Sequence, residues 1–221
     1  MNDASNDSFT LSEALERHKI ELPDAQVAQI SRYCDLLWNR NRKLNLTRHT
    51  TYDLFVGRDV ADSWQLAQLL EPGEEVLDIG SGGGVPGLLL ALLRPDVEVS
   101  VCDSVGKKSI ALGQFVDKLG LAVPVYGDRA ETILEDLRFT SVTARAVGPL
   151  WKMLRSLNDH WDAMGRLLLV KGPRWLDERG EARHRGLLQD LDLRREISYP
   201  IPDSSSESVI LSVSRSIKTS A

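Results

Sequence analysis

The residues best placed by type and spacing to do chemistry lie in one run, Val76-Leu77-Asp78-Ile79-Gly80-Ser81-Gly82-Gly83-Gly84-Val85-Pro86-Gly87. It reads as an apolar strand, a glycine-rich turn and a helix start. Glycines let the backbone turn tightly and approach a ligand closely, and Pro86 suits a first helical turn. Gly82, Gly84 and Gly87 also spell the dinucleotide fingerprint, and Asp103 falls at the end of the next apolar run, where a ribose-binding acid is expected. A nicotinamide-dependent oxidoreductase is therefore one reading. Asp78 argues for another, because a carboxylate two residues before Gly80 is repulsive beside a pyrophosphate and favourable beside a sulfonium or ammonium. On that ground Asp78, Gly80, Gly82 and Asp103 are expected to hold S-adenosyl-L-methionine, which carries both cations and no phosphate. Asp103 also suits a plain helix N-cap.

Elements able to position such a loop surround it. Val27, Ile30, Cys34, Leu37 and Trp38 recur at helical spacing, and a second helix is expected over Tyr52–Leu70 before Pro72 and Gly73 break the pattern. After Gly73 short apolar runs alternate with amphipathic helices. Strands are expected at Val76–Ile79, Val97–Cys102, Val123–Tyr126, Val142–Ala144 and Arg166–Val170, with a helix from Val85 and another through Leu150, Met153, Leu154, Leu157 and Trp161. This alternation predicts an α/β fold, a doubly wound and mostly parallel sheet. Ile197, Tyr199 and Ile201, then Val209, Leu211 and Val213, alternate about the turn Pro202–Ser206 and predict a C-terminal antiparallel hairpin. The sum is a class I, Rossmann-like methyltransferase architecture. Residues 1–72 form a helical extension packed on the core, and residues 73–221 form the cofactor-binding core.

Composition narrows the class. The 221 residues carry a net charge of −5, so a chain that coats nucleic acid indiscriminately is not expected. Between Trp38 and Tyr52, however, stand Arg40, Arg42, Lys43, Arg48 and His49 without an acid. That is either a solvated helix end or a local rim for phosphates. The longest apolar run, around Leu88–Leu93, is too short for a membrane span, and Met1–Thr10 has no export signal. A cytoplasmic protein with Cys34 and Cys102 as free thiols is expected, as a monomer. The four histidines show no metal-ligand spacing, so no metal is expected.

Several further segments point to a family. They are Trp38-Asn39 through Asn45-Leu46-Thr47, Asp62-Ser63, Asp78–Gly87, Asp103-Ser104 with Gly106-Lys107-Lys108, Arg129-Ala130-Glu131, Ala144-Arg145-Ala146 and Lys171-Gly172. In these the chain resembles the glucose-inhibited division protein B family, bacterial methyltransferases that modify a guanine of small-subunit (16S) ribosomal RNA at N7. The resemblance implies that Gly80, Val85, Ala130, Glu131 and Arg145 contact the cofactor. It also implies that Arg145 stands where methyl and target base meet, and that small-subunit ribosomal RNA or the 30S subunit is the partner. Arg145 and Lys171, at the ends of the fourth and fifth strands, are the residues expected to act in catalysis. The chain departs from the family pattern at Asp59, where a histidine is usual, and at Ser208, where an arginine is usual. A relative that binds RNA without catalysis is the remaining reading, against which the intact glycine loop argues.

Overall fold

The computed structural model describes residues 9–216; the extreme ends of both expected regions, 1–8 and 217–221, lie outside the described residues. Helix α1 (Leu11–Arg17) opens on a capping box. The Thr10 hydroxyl accepts the Glu13 N–H, and the Glu13 carboxylate accepts the Thr10 N–H. Helix α2 (Asp24–Leu44) ends at Asn45 in the left-handed region, a conformation that Asn tolerates better than most residues.

The expected single helix over Tyr52–Leu70 is instead α3 (Tyr52–Leu54), a π-helical turn (Phe55–Val60) and α4 (Ala61–Ala67). Such a wide turn carries an extra residue within an otherwise helical path, often at functional sites; Asp59 lies in it.

The core then alternates as its hydrophobic rhythm requires: β1 (Glu75–Ile79), α5 (Gly87–Leu93), β2 (Glu98–Cys102), α6 (Gly106–Leu119), β3 (Val125–Tyr126), α7 (Ala130–Asp136), β4 (Phe139–Arg145), α8 (Leu150–Ser156), β5 (Met164–Lys171), α9 (Trp175–His184), β6 (Leu191–Pro200) and β7 (Glu207–Arg215). The sheet order is β3-β2-β1-β4-β5-β7-β6. Strands β1 to β5 pair in parallel, β7 pairs antiparallel with β5, and β6 antiparallel with β7.

The hairpin inserts its later strand because β7 is the more apolar: Val209, Ile210, Leu211 and Val213 are buried. In β6 Arg194, Arg195 and Glu196 are exposed, which suits an edge. The helix expected from Val85 starts two residues later, leaving 80–86 as turn. The helix expected to reach Trp161 gives way after Ser156 to a 3₁₀ turn over Asn158–Ala163. Helix α9 was not expected from the pattern at all, since of its ten residues only Ala182 is buried.

Two apolar layers clothe the sheet. One gathers α1, α2, α4, α5 and α6 against one face, through residues such as Ile30, Leu37, Leu66, Leu89 and Leu112. The other gathers α7, α8 and α9 against the opposite face, through Ile133, Leu150, Leu154 and Ala182. The N-terminal helices thus share their core with the sheet. They also touch the glycine loop directly: the Tyr33 hydroxyl donates to the Gly83 carbonyl at 2.8 Å, buried between α2 and the loop. No helix among the described residues is long and apolar enough to cross a membrane.

Candidate functional site

In an open parallel sheet ligands bind beyond the carboxyl ends of the strands, where the order reverses. Here that point lies between β1 and β4. Two cavities open along this edge. The first, of about 570 Å³, is lined by Ile79, Gly80, Asp103, Ala130, Glu131, Val147 and Trp151 among others. The second, of about 860 Å³, is lined by Asn45–His49, Asp59, Asp62, Arg145, Lys171 and Ser208 among others. The loop after β4 divides them, with Arg145, Ala146 and Gly148 facing the larger and Val147 the smaller. That loop is held in unusual backbone: Ala146 has φ +56° and Gly148 φ +141°, and the alanine there carries a steric cost that a glycine would not.

The smaller cavity shows why the loop residues are what they are. Gly80 has φ +66°, and a Cβ there would sit 2.8 Å from a Val147 methyl. At Gly87 a Cβ would meet Val101 at 2.5 Å and Asp78 at 2.8 Å, so only glycine lets α5 start so close to the sheet. Asp103, 5% exposed, accepts the Gly82 N–H at 3.0 Å on one oxygen and the Val105 N–H at 2.9 Å on the other. Each carboxylate oxygen keeps a further lone pair for a ligand. Glu131 accepts the Ser156 hydroxyl, and both belong to the wall of the same cavity.

Three expectations need correcting. Asp78 lines neither cavity. It is fully buried, with one oxygen accepting the Thr143 hydroxyl at 2.9 Å and the other the Gly87 N–H at 3.1 Å. Its role is to tie β1 to β4 and to the start of α5; burial pushes its carboxyl up to about 6 against the pull of those hydrogen bonds. Val85 is not in the cavity wall; it is partly buried and packs against the apolar layer that holds α2 and α5. The Arg145 side chain does not reach the smaller cavity: its Nε donates to Asp62 at 2.6 Å, and a terminal nitrogen lies 2.7 Å from Asp59. Gly80, Asp103, Ala130 and Glu131 do come together around the smaller cavity, with Gly82 behind Asp103.

The larger cavity is built on ion pairs. Arg145 is clamped between two carboxylates that are 1% and 3% exposed. Burial alone pulls its pKa down, but Asp59 and Asp62 outweigh that and hold it above its ordinary value. Asp59 also meets His49 Nδ1 at 2.8 Å, and Asp62 accepts the Tyr199 hydroxyl at 2.6 Å. Burial and the Asp62 charge push that phenol up, so Tyr199 stays protonated as a donor. Lys171 donates to the Gly148 carbonyl at 2.6 Å and to Glu178 at 2.8 Å, and so fastens the dividing loop to α9.

Sequence reasoning missed Asp59, Asp62, His49, Tyr199 and Glu178 as partners of the predicted cations. The spacing of Asp59 and Asp62 was the available signal, since i and i+3 share a helical face. The rim of the cavity is the Asn45-Leu46-Thr47 turn, which Asn41 pins: its side-chain oxygen accepts the Leu46 and Thr47 N–H groups at 2.6 and 2.9 Å. Arg42, Lys43 and Arg48 beside it are exposed, and among the described residues no carboxylate pairs with them.

Residues 26–194 match the family model described as rRNA small subunit methyltransferase G (GidB). A protein of Rhodopirellula baltica named ribosomal RNA small subunit methyltransferase G is 54% identical over 188 residues, 85% of this chain and 81% of the relative. Its namesake from Solibacter usitatus is 36% identical over 182 residues, 82% and 87% of the two chains. Among solved structures, M. capricolum TrmK in complex with S-adenosyl-homocysteine superposes with TM-score 0.55 at 14% identity, over 69% of this chain and 67% of that one. MtNAS in complex with MTA and tNA does so with TM-score 0.56 at 16% identity, over 96% and 91%. At such identities these two likenesses speak for the fold.

Proposed function

The chain belongs to the rRNA small subunit methyltransferase G family, and on that premise we propose that it methylates N7 of a guanine in small-subunit ribosomal RNA. The methyltransferase activity, the S-adenosylmethionine donor and the small-subunit RNA substrate come with the family. The acceptor atom and the roles of individual residues are our reading of the site. In that reading the protein works as a monomer in the cytoplasm, with residues up to 72 serving as a helical extension and the rest as the cofactor-binding core.

The smaller cavity fits the donor. Its volume is that of a small-molecule site, a buried carboxylate on Asp103 stands ready for ribose hydroxyls, and Gly80 keeps open a cradle that a Cβ would fill. Asp103 would hold the ribose, Ala130 and Glu131 the adenine end, and Gly80 and Gly82 the backbone close to the ligand. The group supplies an electrophilic methyl on a sulfonium. This chain's own residues hold the acceptor: the rim at Asn45–His49 receives the RNA, Arg145 presents a guanidinium at the cavity wall, and Lys171 fixes the dividing loop against α9.

One observation carries the choice of atom. Every acid lining the larger cavity is already engaged by a cation: Asp59 and Asp62 by Arg145, and Glu178 by Lys171. Each of these carboxylates is ion-paired, and the one Asp59 oxygen without a hydrogen-bond partner among the described residues is buried, so the cavity presents no unpaired carboxylate to remove a proton. Guanine N7 has a lone pair and no proton, so its methylation needs position and field rather than a base. His49, oriented by Asp59, is the lining residue able to act as a base without breaking an ion pair.

The test is single-turnover methylation of small-subunit RNA with labelled S-adenosylmethionine, followed by nuclease digestion. The expected product is 7-methylguanosine, with a rate nearly flat from about pH 6 to 9, because no proton leaves the acceptor. Label on an exocyclic amine or a ribose oxygen overturns the reading, as does a unit-slope rise in rate with pH that disappears in His49→Gln.

A further inference from the structure

Helix α9 lies on the surface and buries little of itself. Only Ala182 is buried, and the exposed residues of this helix and its flanks include Arg174, Arg183 and Arg185. It packs beside α8, and the two share an aromatic platform. The Trp151 ring carries three cations: the Arg185 guanidinium at 4.1 Å from its centroid, Arg155 at 5.1 Å and the Lys152 ammonium at 5.5 Å. Trp175 carries Arg179 at 5.3 Å. Of these four cations, Arg185 alone has a carboxylate partner among the described residues, Glu181.

Gathering three like charges on one ring is electrostatically unfavourable. A cation–π contact at an exposed site offsets only a small part of that repulsion, and the chain as a whole is acidic. A polyanion laid across the platform relieves the repulsion and finds its cations already ordered. The platform also sits at the working edge. Trp151, Lys152 and Arg155 line the smaller cavity, and Glu178 of α9 lines the larger one.

We propose that the α8–α9 face is a second RNA-binding surface. It takes the phosphate backbone on Arg179 and Arg185 and on the exposed Arg174 and Arg183 of the same helix and its flank, on the side of the larger cavity contributed by α9, whereas Asn45–His49 form another part of that cavity's wall. The inference rests on the RNA-methylating reading above. An RNA strand that places a base in the larger cavity is then gripped at two places, by the Arg42–Arg48 rim and by this platform. The aromatic rings act through the cations they orient.

The test measures binding of a small-subunit ribosomal RNA transcript across a salt series. Two charge reversals are compared with the wild type, Arg179→Glu with Arg185→Glu, and Arg174→Glu with Arg183→Glu. Among the described residues neither the Arg174 nor the Arg183 side chain makes a hydrogen bond, ion pair or ring contact, so the second pair removes charge without breaking such an interaction. Each pair is expected to weaken binding at low salt at least about tenfold and to lower the slope of log affinity against log salt by about 1.4–1.8, the loss of two phosphate contacts. Affinity for S-adenosylmethionine stays at the wild-type value, and under single turnover the RNA concentration at half-maximal rate rises while the limiting rate holds. Wild-type affinity and salt slope in both variants overturn the proposal. So does an equal loss of cofactor affinity, which makes the helices a support for the smaller cavity. A wild-type protein with no affinity for the transcript overturns the RNA-methylating reading itself, a different outcome from the first.

Discussion

Replacing Arg145 by methionine is expected to damage the fold before it damages any chemistry. The guanidinium sits between Asp59 and Asp62, at 2.7 and 2.6 Å, with its side chain 16% exposed and those of the two acids all but buried. Methionine matches much of the volume but leaves two carboxylates close together with no cation between them. Removing one partner of a buried pair costs about 3–5 kcal/mol, because the other charge is stranded. Here two charges are stranded, but Asp59 keeps His49 and Asp62 keeps Tyr199, so the same range applies. For a chain of this size that is a fall in Tm of roughly 6–20 °C. Scanning calorimetry reads it directly. The triple variant with Asp59→Asn, Asp62→Asn and Arg145→Met should recover at least half the loss. The amides keep acceptors for His49 and Tyr199 and remove the repulsion. A single variant within 2 °C of wild type, or a triple variant no more stable than the single, refutes the claim that this cluster is held by its charges.

Two other substitutions read the smaller cavity and its supports. Asp78 has a folded-state pKa raised from 3.8 to about 6, so between those values the folded chain holds more protons than the unfolded one, and its stability from this group falls as pH rises through the window. Asp78→Asn removes that dependence; the stability of wild type relative to the variant should therefore improve by roughly 1–3 kcal/mol from pH 7.5 to pH 4 in urea titrations, and an opposite trend sinks the assignment. Asp103→Ala takes away the acceptor of the Gly82 and Val105 N–H groups as well as the ribose carboxylate. S-adenosylmethionine affinity by calorimetry should drop by about 1.5–3 kcal/mol, and an unchanged affinity would remove Asp103 from the site.

Much of the fold was legible because parallel strands buried on both faces must be apolar runs. Val76–Ile79 and Arg166–Val170 announced β1 and β5 this way. The strand order was less so: that β7 rather than β6 lies beside β5 depends on which hairpin arm buries both faces, and Arg194-Arg195-Glu196 in β6 gave the clue. Helix α9 escaped because periodicity reports burial, and this helix buries almost nothing. The π turn escaped because an extra residue in a helix leaves no composition signal.

The site divides along the same line. Gly80, Gly87 and Asp103 could be read from sequence because their constraints are local: a left-handed φ, a close approach, a strand end. Asp78 looked like a ligand residue for an equally local reason, its place before the glycines. Its true partners are Thr143, 65 positions away, and Gly87 across the loop. Arg145 was legible as a cation at the right strand end, but what it faces is set by contacts 83 positions away, at Asp62. At Asp59 the departure from the family pattern becomes intelligible only in the fold. An acid there meets His49 and Arg145 at once. It also gives the Arg145 guanidinium a second carboxylate.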